Sequence, residues 1–158
     1  MIHDVETGRT FAATRSRSQF LGAGVVPATV AALRAHERGS ADTLTSLAGV
    51  LELVVRAYAT LWLKAGGLPA VLAVLRERIS EGAVALALCR VLLAVAQSSW
   101  LVYGRRRRLR DAGLAVAMHE VIAVTTAAEG QQAEGAAELH AELREVAASV
   151  LFELAGGC

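Results

Sequence analysis

A chain of 158 residues with 16 basic and 15 acidic side chains has a formal net charge of +1, which gives no general pull toward nucleic acid. Apolar residues make up 54%, chiefly Ala, Val and Leu, against 4% aromatics, a mix that favours closely stacked helices over a sheet of β-branched and aromatic strands. The length suits one domain with a substantial core. Cys89 and Cys158 match no zinc or redox spacing and read as free thiols of a reducing compartment, and the mixed, polar first twenty residues contain no secretory apolar core.

Residues 1–14 read as a flexible N-terminal segment, and a repeat organises the remainder of the chain. Ala65-Gly66-Gly67-Leu68-Pro69-Ala70-Val71-Leu72-Ala73-Val74-Leu75 returns forty-two residues upstream as Ala23-Gly24-Val25-Val26-Pro27-Ala28-Thr29-Val30-Ala31-Ala32-Leu33, and more weakly at Ala112-Gly113-Leu114. Both prolines of the chain fall at the same place in this repeat. Such a period marks units that cannot bury their apolar faces alone and stack on their neighbours. The chain divides into three repeats, at about 15–55, 56–97 and 98–155, each a short helix, a Gly turn, a second helix, a loop and a longer third helix.

In the first unit, the elements are Arg15 to Phe20, a stop at Gly22-Ala23-Gly24, Pro27 to Arg34, a polar linker from His36 to Ser40, and Ala41 to Val55. In the second, Arg56 to Lys64 is halted at Gly66-Gly67, because glycine takes the left-handed conformation that closes a helix. Pro69 then opens the second helix, where its missing N–H costs nothing. Ser80-Glu81-Gly82 breaks the chain again, and Ala83 to Ala96 carries Val84, Leu88, Val91, Leu92 and Val95 as a helical stripe. Ser98-Ser99 reads as the cap of the next helix. The third unit runs Trp100 to Asp111, Gly113, Leu114 to Thr125, a polar insertion from Ala127 to Gly135, and Ala136 to Ala155. Its second helix lacks the proline and puts His119 and Glu120 at positions where apolar residues are expected.

Gly-Gly-Leu-Pro-x-Val-Leu-x-Val-Leu at 66–75, followed by the apolar stripe of 84–96, resembles an armadillo repeat, and the resemblance extends over about 15–155. It implies an all-α, right-handed α-α superhelix of three repeats. HEAT repeats are the near alternative. In armadillo proteins the third helices line a concave groove that holds a partner segment. Import adaptors of the family place a Trp and, four residues on, an Asn along each third helix. Here the Trp positions correspond to Gly49, Arg90 and Ser149, and the Asn positions to Leu53, Ala94 and Glu153. None is Trp or Asn, which speaks against that mode of peptide capture. Glu138, Glu142, Glu145 and Glu153, with Ser149 between them, share one face of the last helix, either a solvated face or an acidic stripe for a basic protein or peptide segment.

The resemblance therefore implies a non-enzymatic, cytoplasmic scaffold or adaptor with no cofactor. No catalytic constellation stands out. His3, His36, His119 and His140 are scattered, so no metal site is expected. Cys89, within an apolar helix, reads as buried and inert. Arg105-Arg106-Arg107-Arg108 with Arg110 reads as an exposed basic turn, with a nuclear import signal as its functional alternative. The alternative of another class is an integral membrane protein spanning at 82–104, followed by four arginines; Arg90 near its middle argues against it. The chain stops where the first helix of another unit would come, so a longer array, or self-association through an uncapped C-terminal face, is expected.

Overall fold

The computed structural model describes residues 23–98, 104–130 and 134–156, all in helices and short connections, with no strand among them. The elements are α1 (Ala23–Ala35), α2 (Ala41–Lys64), α3 (Gly67–Glu77), α4 (Gly82–Gln97), α5 (Arg105–Asp111), α6 (Leu114–Ala127), a 3₁₀ turn at Ala128–Gly130, and α7 (Glu134–Ala155). The protein is all-α. The N-terminal segment 1–14 and the helix expected over Arg15 to Phe20 lie outside the described residues, as do Ser99 and the start of the helix expected from Trp100.

Local chemistry accounts for most boundaries. Ser40 caps α2, its Oγ accepting from the Thr43 N–H at 3.2 Å. Gly66 (φ 78°) and Gly113 (φ 89°) hold the left-handed corners that begin α3 and α6. Pro69 is the third residue of α3, within the first turn, where no helical partner for an N–H exists. Two expectations need correction. Gly24 lies inside α1 with no positive φ, so the break expected at Gly22-Ala23-Gly24 does not fall on Ala23 or Gly24. Ser98 closes α4 instead of opening the next helix, and its hydroxyl donates to the Val95 carbonyl at 2.7 Å.

One difference concerns α2, which carries helical hydrogen bonding across the expected break between Val55 and Arg56. It bends instead at Tyr58 (φ −138°, ψ 38°). The sequence there, Arg-Ala-Tyr-Ala, contains no proline or glycine that would account for the bend.

The long helices lie side by side, with α4 between α2 and α7; α3 and α6 pack behind them, and α5 sits against α6 and α7. One apolar core runs through all of these layers, with Leu44, Leu51 and Val55 from α2, Leu88 and Leu92 from α4, and Leu143 and Val150 from α7. α4 is covered on almost every side, including Ala85, Leu86, Ala94 and Ala96. At 16 residues it is about 24 Å long, short of the roughly 30 Å hydrocarbon layer. The described helix long and apolar enough to cross a membrane is α2, which is bent and gives its Leu44–Val55 stripe and Trp62 to the core.

A contact recurs at the repeat spacing. The Arg34 guanidinium lies 3.0 Å from where a Cβ on Gly66 would stand, and that of Arg76, forty-two residues later, lies 3.6 Å from the same point on Gly113. Each cation thus comes from the second helix of one unit and sits at the glycine corner between two helices of the next. Arg78 adds a further tie between units, with its Nη2 donating to the Gly39 carbonyl at 3.0 Å.

Candidate functional site

The expected groove residues fall on α2, α4 and α7. Gly49 and Leu53 are on the solvent side of α2, where Leu53 is 70% exposed and its neighbour Val50 48%. Exposure on that scale leaves an apolar stripe uncovered on a helix whose other face is core. Arg90 projects from α4 into solvent and pairs with Glu142 of α7. Ala94 is 3% exposed and offers no surface. Its expected place in a groove is therefore corrected: α4, flanked on both sides, buries the position one turn beyond Arg90.

On α7, Glu138, Glu142 and Glu145 are exposed, while Ser149 and Glu153 are half-buried. The Ser149 hydroxyl donates to the Glu145 carbonyl at 2.9 Å and is committed to its own helix. The structure thus brings Arg90 and Glu142 together across α4 and α7, and no hydrogen bond or ion pair among the described residues joins them to Gly49 or Leu53. With Glu142 neutralised, Glu138 and Glu145 are the carboxylates of the stripe that face solvent without an ion-pair partner among the described residues. Because both members of the Arg90–Glu142 pair are about half exposed, the pair contributes at most about 1 kcal/mol and serves register more than stability.

Val50 joins the expected residues on this face, and helical spacing could have found it, since it stands three residues before Leu53 and one after Gly49. The arginine run also divides. Arg105 is buried, donating to the Thr60 hydroxyl of α2 and to the Ser98 carbonyl at 3.3 Å, whereas Arg107, Arg108 and Arg110 are exposed. An exposed turn of four consecutive arginines is accordingly corrected to a run whose first member is a tie between helices. His119 and Glu120 face solvent on α6, the His119 Nδ1 lying 2.8 Å from the Ala115 carbonyl. No cluster of metal-ligating side chains occurs among the described residues.

Cys89 is fully buried beside Arg90, and burial pushes its thiol up from 9.0 to about 12. Between these values the unfolded chain releases the proton and the folded chain keeps it, so stability is level below about pH 9 and falls above it. The slope approaches about 1.4 kcal/mol per pH unit. In urea titrations at pH 8 and 10, Cys89→Ala is expected to lose about 1 kcal/mol less than the parent over this interval, and equal losses would contradict a buried, neutral thiol. Compared with known proteins, the chain matches no family model, no curated protein and no solved structure.

Proposed function

We propose that this protein is a non-enzymatic, cytoplasmic scaffold built as a three-unit armadillo-type superhelix, holding a partner segment against the outward face of its long helices. The observations that support this reading are exposed groups of two characters on the long helices that flank α4. Two exposed apolar side chains (Val50, Leu53) lie on α2, and Glu138 and Glu145, without ion-pair partners among the described residues, lie on α7. The recurrence of the Arg34–Gly66 contact as Arg76–Gly113 supports units stacked in one sense, as a solenoid requires. A segment with basic residues and an apolar anchor is the complementary partner, its charges setting register and its apolar side chain supplying most of the affinity.

The test uses 12-residue synthetic peptides of graded charge, followed by fluorescence anisotropy. Peptides carrying Lys or Arg with Leu bind, acidic ones do not. Glu138→Lys with Glu145→Lys weakens the basic peptides about tenfold or more, and Leu53→Asp weakens them by a similar factor. Affinity unchanged by all three substitutions removes this face from the function. A membrane-spanning role has one observation in its favour, the length and apolarity of α2. A strongly helical product obtained without detergent excludes it.

A further inference from the structure

A cleft of about 390 Å³ that the scaffold reading does not use lies between the end of α2, the start of α3 and α5. Among the described residues, Leu63, Leu68 and Leu109 give it apolar lining, and its polar groups are the Thr60 hydroxyl and three cations, Lys64, Arg105 and Arg108. Among the described residues no carboxylate lies within ion-pair distance of any of the three. Arg105 is buried and meets neutral acceptors, the Thr60 hydroxyl and the Ser98 carbonyl and hydroxyl. Burial, and then the positive charge of Arg108, hold its guanidinium below the ordinary arginine value.

A desolvated cation beside a second of like charge is stabilised by whatever anion enters, and far more so here than at an open surface. The volume falls in the range of small-molecule sites, and a few convergent polar groups on an apolar wall are their usual construction. We propose that this cleft binds a small amphiphile with one anionic head. The head is held by Arg105, Arg108 and Lys64, and the apolar body lies against Leu63, Leu68 and Leu109. The position of the cleft gives binding a consequence, since a ligand there bridges the C-terminal limb of α2 to α5.

The head is a carboxylate or a phosphate, and three eight-carbon probes separate these from hydrophobic adsorption: octanoate, octyl phosphate and octanol. Amide shifts of Lys64, Leu109 and Ala112 in the ¹⁵N-labelled full chain give the readout. Saturable shifts with octanoate, octyl phosphate or both, at a Kd of about 1 mM or tighter, support the proposal and name the head group. Octanol binds at least about tenfold more weakly. Because removing Arg105 also removes a tie between helices, the variant is Lys64→Gln with Arg108→Gln, both exposed and without ion-pair partners among the described residues. It weakens the anionic probes about tenfold or more. Octanol binding as tightly as the anions, an undiminished affinity in the variant, or no saturable shift with any probe overturns the proposal.

Discussion

Gly67→Ala is expected to lower the unfolding free energy by about 3 kcal/mol, although alanine is the better helix former by roughly 1 kcal/mol. Gly67 is the first residue of α3, and its backbone lies against the indole of Trp62, which is fully buried at the end of α2. A Cβ there would lie 2.6 Å from Trp62 Nε1 and closer still to Cδ2 and Cε2. An indole ring cannot yield as the far end of a flexible chain does, so helices must move apart. Trp62→Ala costs about 3–5 kcal/mol through the cavity it leaves. The two changes meet at one contact, so Gly67→Ala with Trp62→Ala costs well under their separate sum. Gly66→Ala is the informative contrast. Its φ of 78° imposes about 1–2 kcal/mol of backbone strain, but its Cβ would meet the movable end of Arg34. Urea titrations of the four variants check this order, and a Gly67→Ala protein as stable as its parent would refute the close approach. Trp62 Nε1 has no hydrogen-bond partner among the described residues, so Trp62→Phe loses volume without orphaning a polar atom and falls far below the alanine cost.

The same glycine pair marks how far the sequence could be read. That a helix ends at Gly66-Gly67 follows from glycine's access to positive φ; which of the two takes that conformation, and which is needed for lack of a side chain, is settled by Trp62. Trp62 itself was legible only as apolar content. Gly24 occupies the same place in the repeat as Gly66 yet is helical, because a glycine in a helix and a glycine at a corner are the same letter. The second helices of the second and third units, α3 and α6, and the third helices α4 and α7 were readable because apolar spacing and terminal Gly or polar residues agree at most of their ends, whereas α1 takes in Ala23 and Gly24 of the expected stop. A break between the two helices was expected from the repeat, at Val55–Arg56; its place at Tyr58 was not legible, since no residue near it disfavours helix.

Among the expected site residues, Gly49, Leu53 and Arg90, which the armadillo resemblance implied, and Glu142, read from helical spacing, all lie on exposed positions. Ala94 does not, because α4 is flanked twice, by α2 and by α7. Four consecutive arginines carry no mark of which one is buried. That is decided by Thr60 and Ser98, groups brought to Arg105 by tertiary packing from 45 and seven residues away. The cation-rimmed cleft was invisible for the same reason.

Leu92→Ala is expected to cost about 2–5 kcal/mol, and where that cost is felt distinguishes stacked units from an undivided core. Leu92 is fully buried on α4, which packs against α2 on one side and α7 on the other. Leu143 is as well buried on α7, which packs against α4, α5 and α6 but has no long helix beyond it among the described residues. In a chain of nearest-neighbour interfaces, loosening the middle layer weakens both of its contacts at once, whereas loosening a terminal layer weakens one. Hydrogen exchange should therefore rise in α2, α4 and α7 together for Leu92→Ala. For Leu143→Ala it should rise in α7 and in α4 and α6, which pack on it, with α2 and α3 retaining their protection. Both substitutions remove the same three carbons from equally dry surroundings, so the chemistry of the lost contacts cancels in the comparison. If both variants lowered protection by one common amount at every helix, the chain would be a single cooperative core that happens to be built from similar segments, and stacking would not be what holds it.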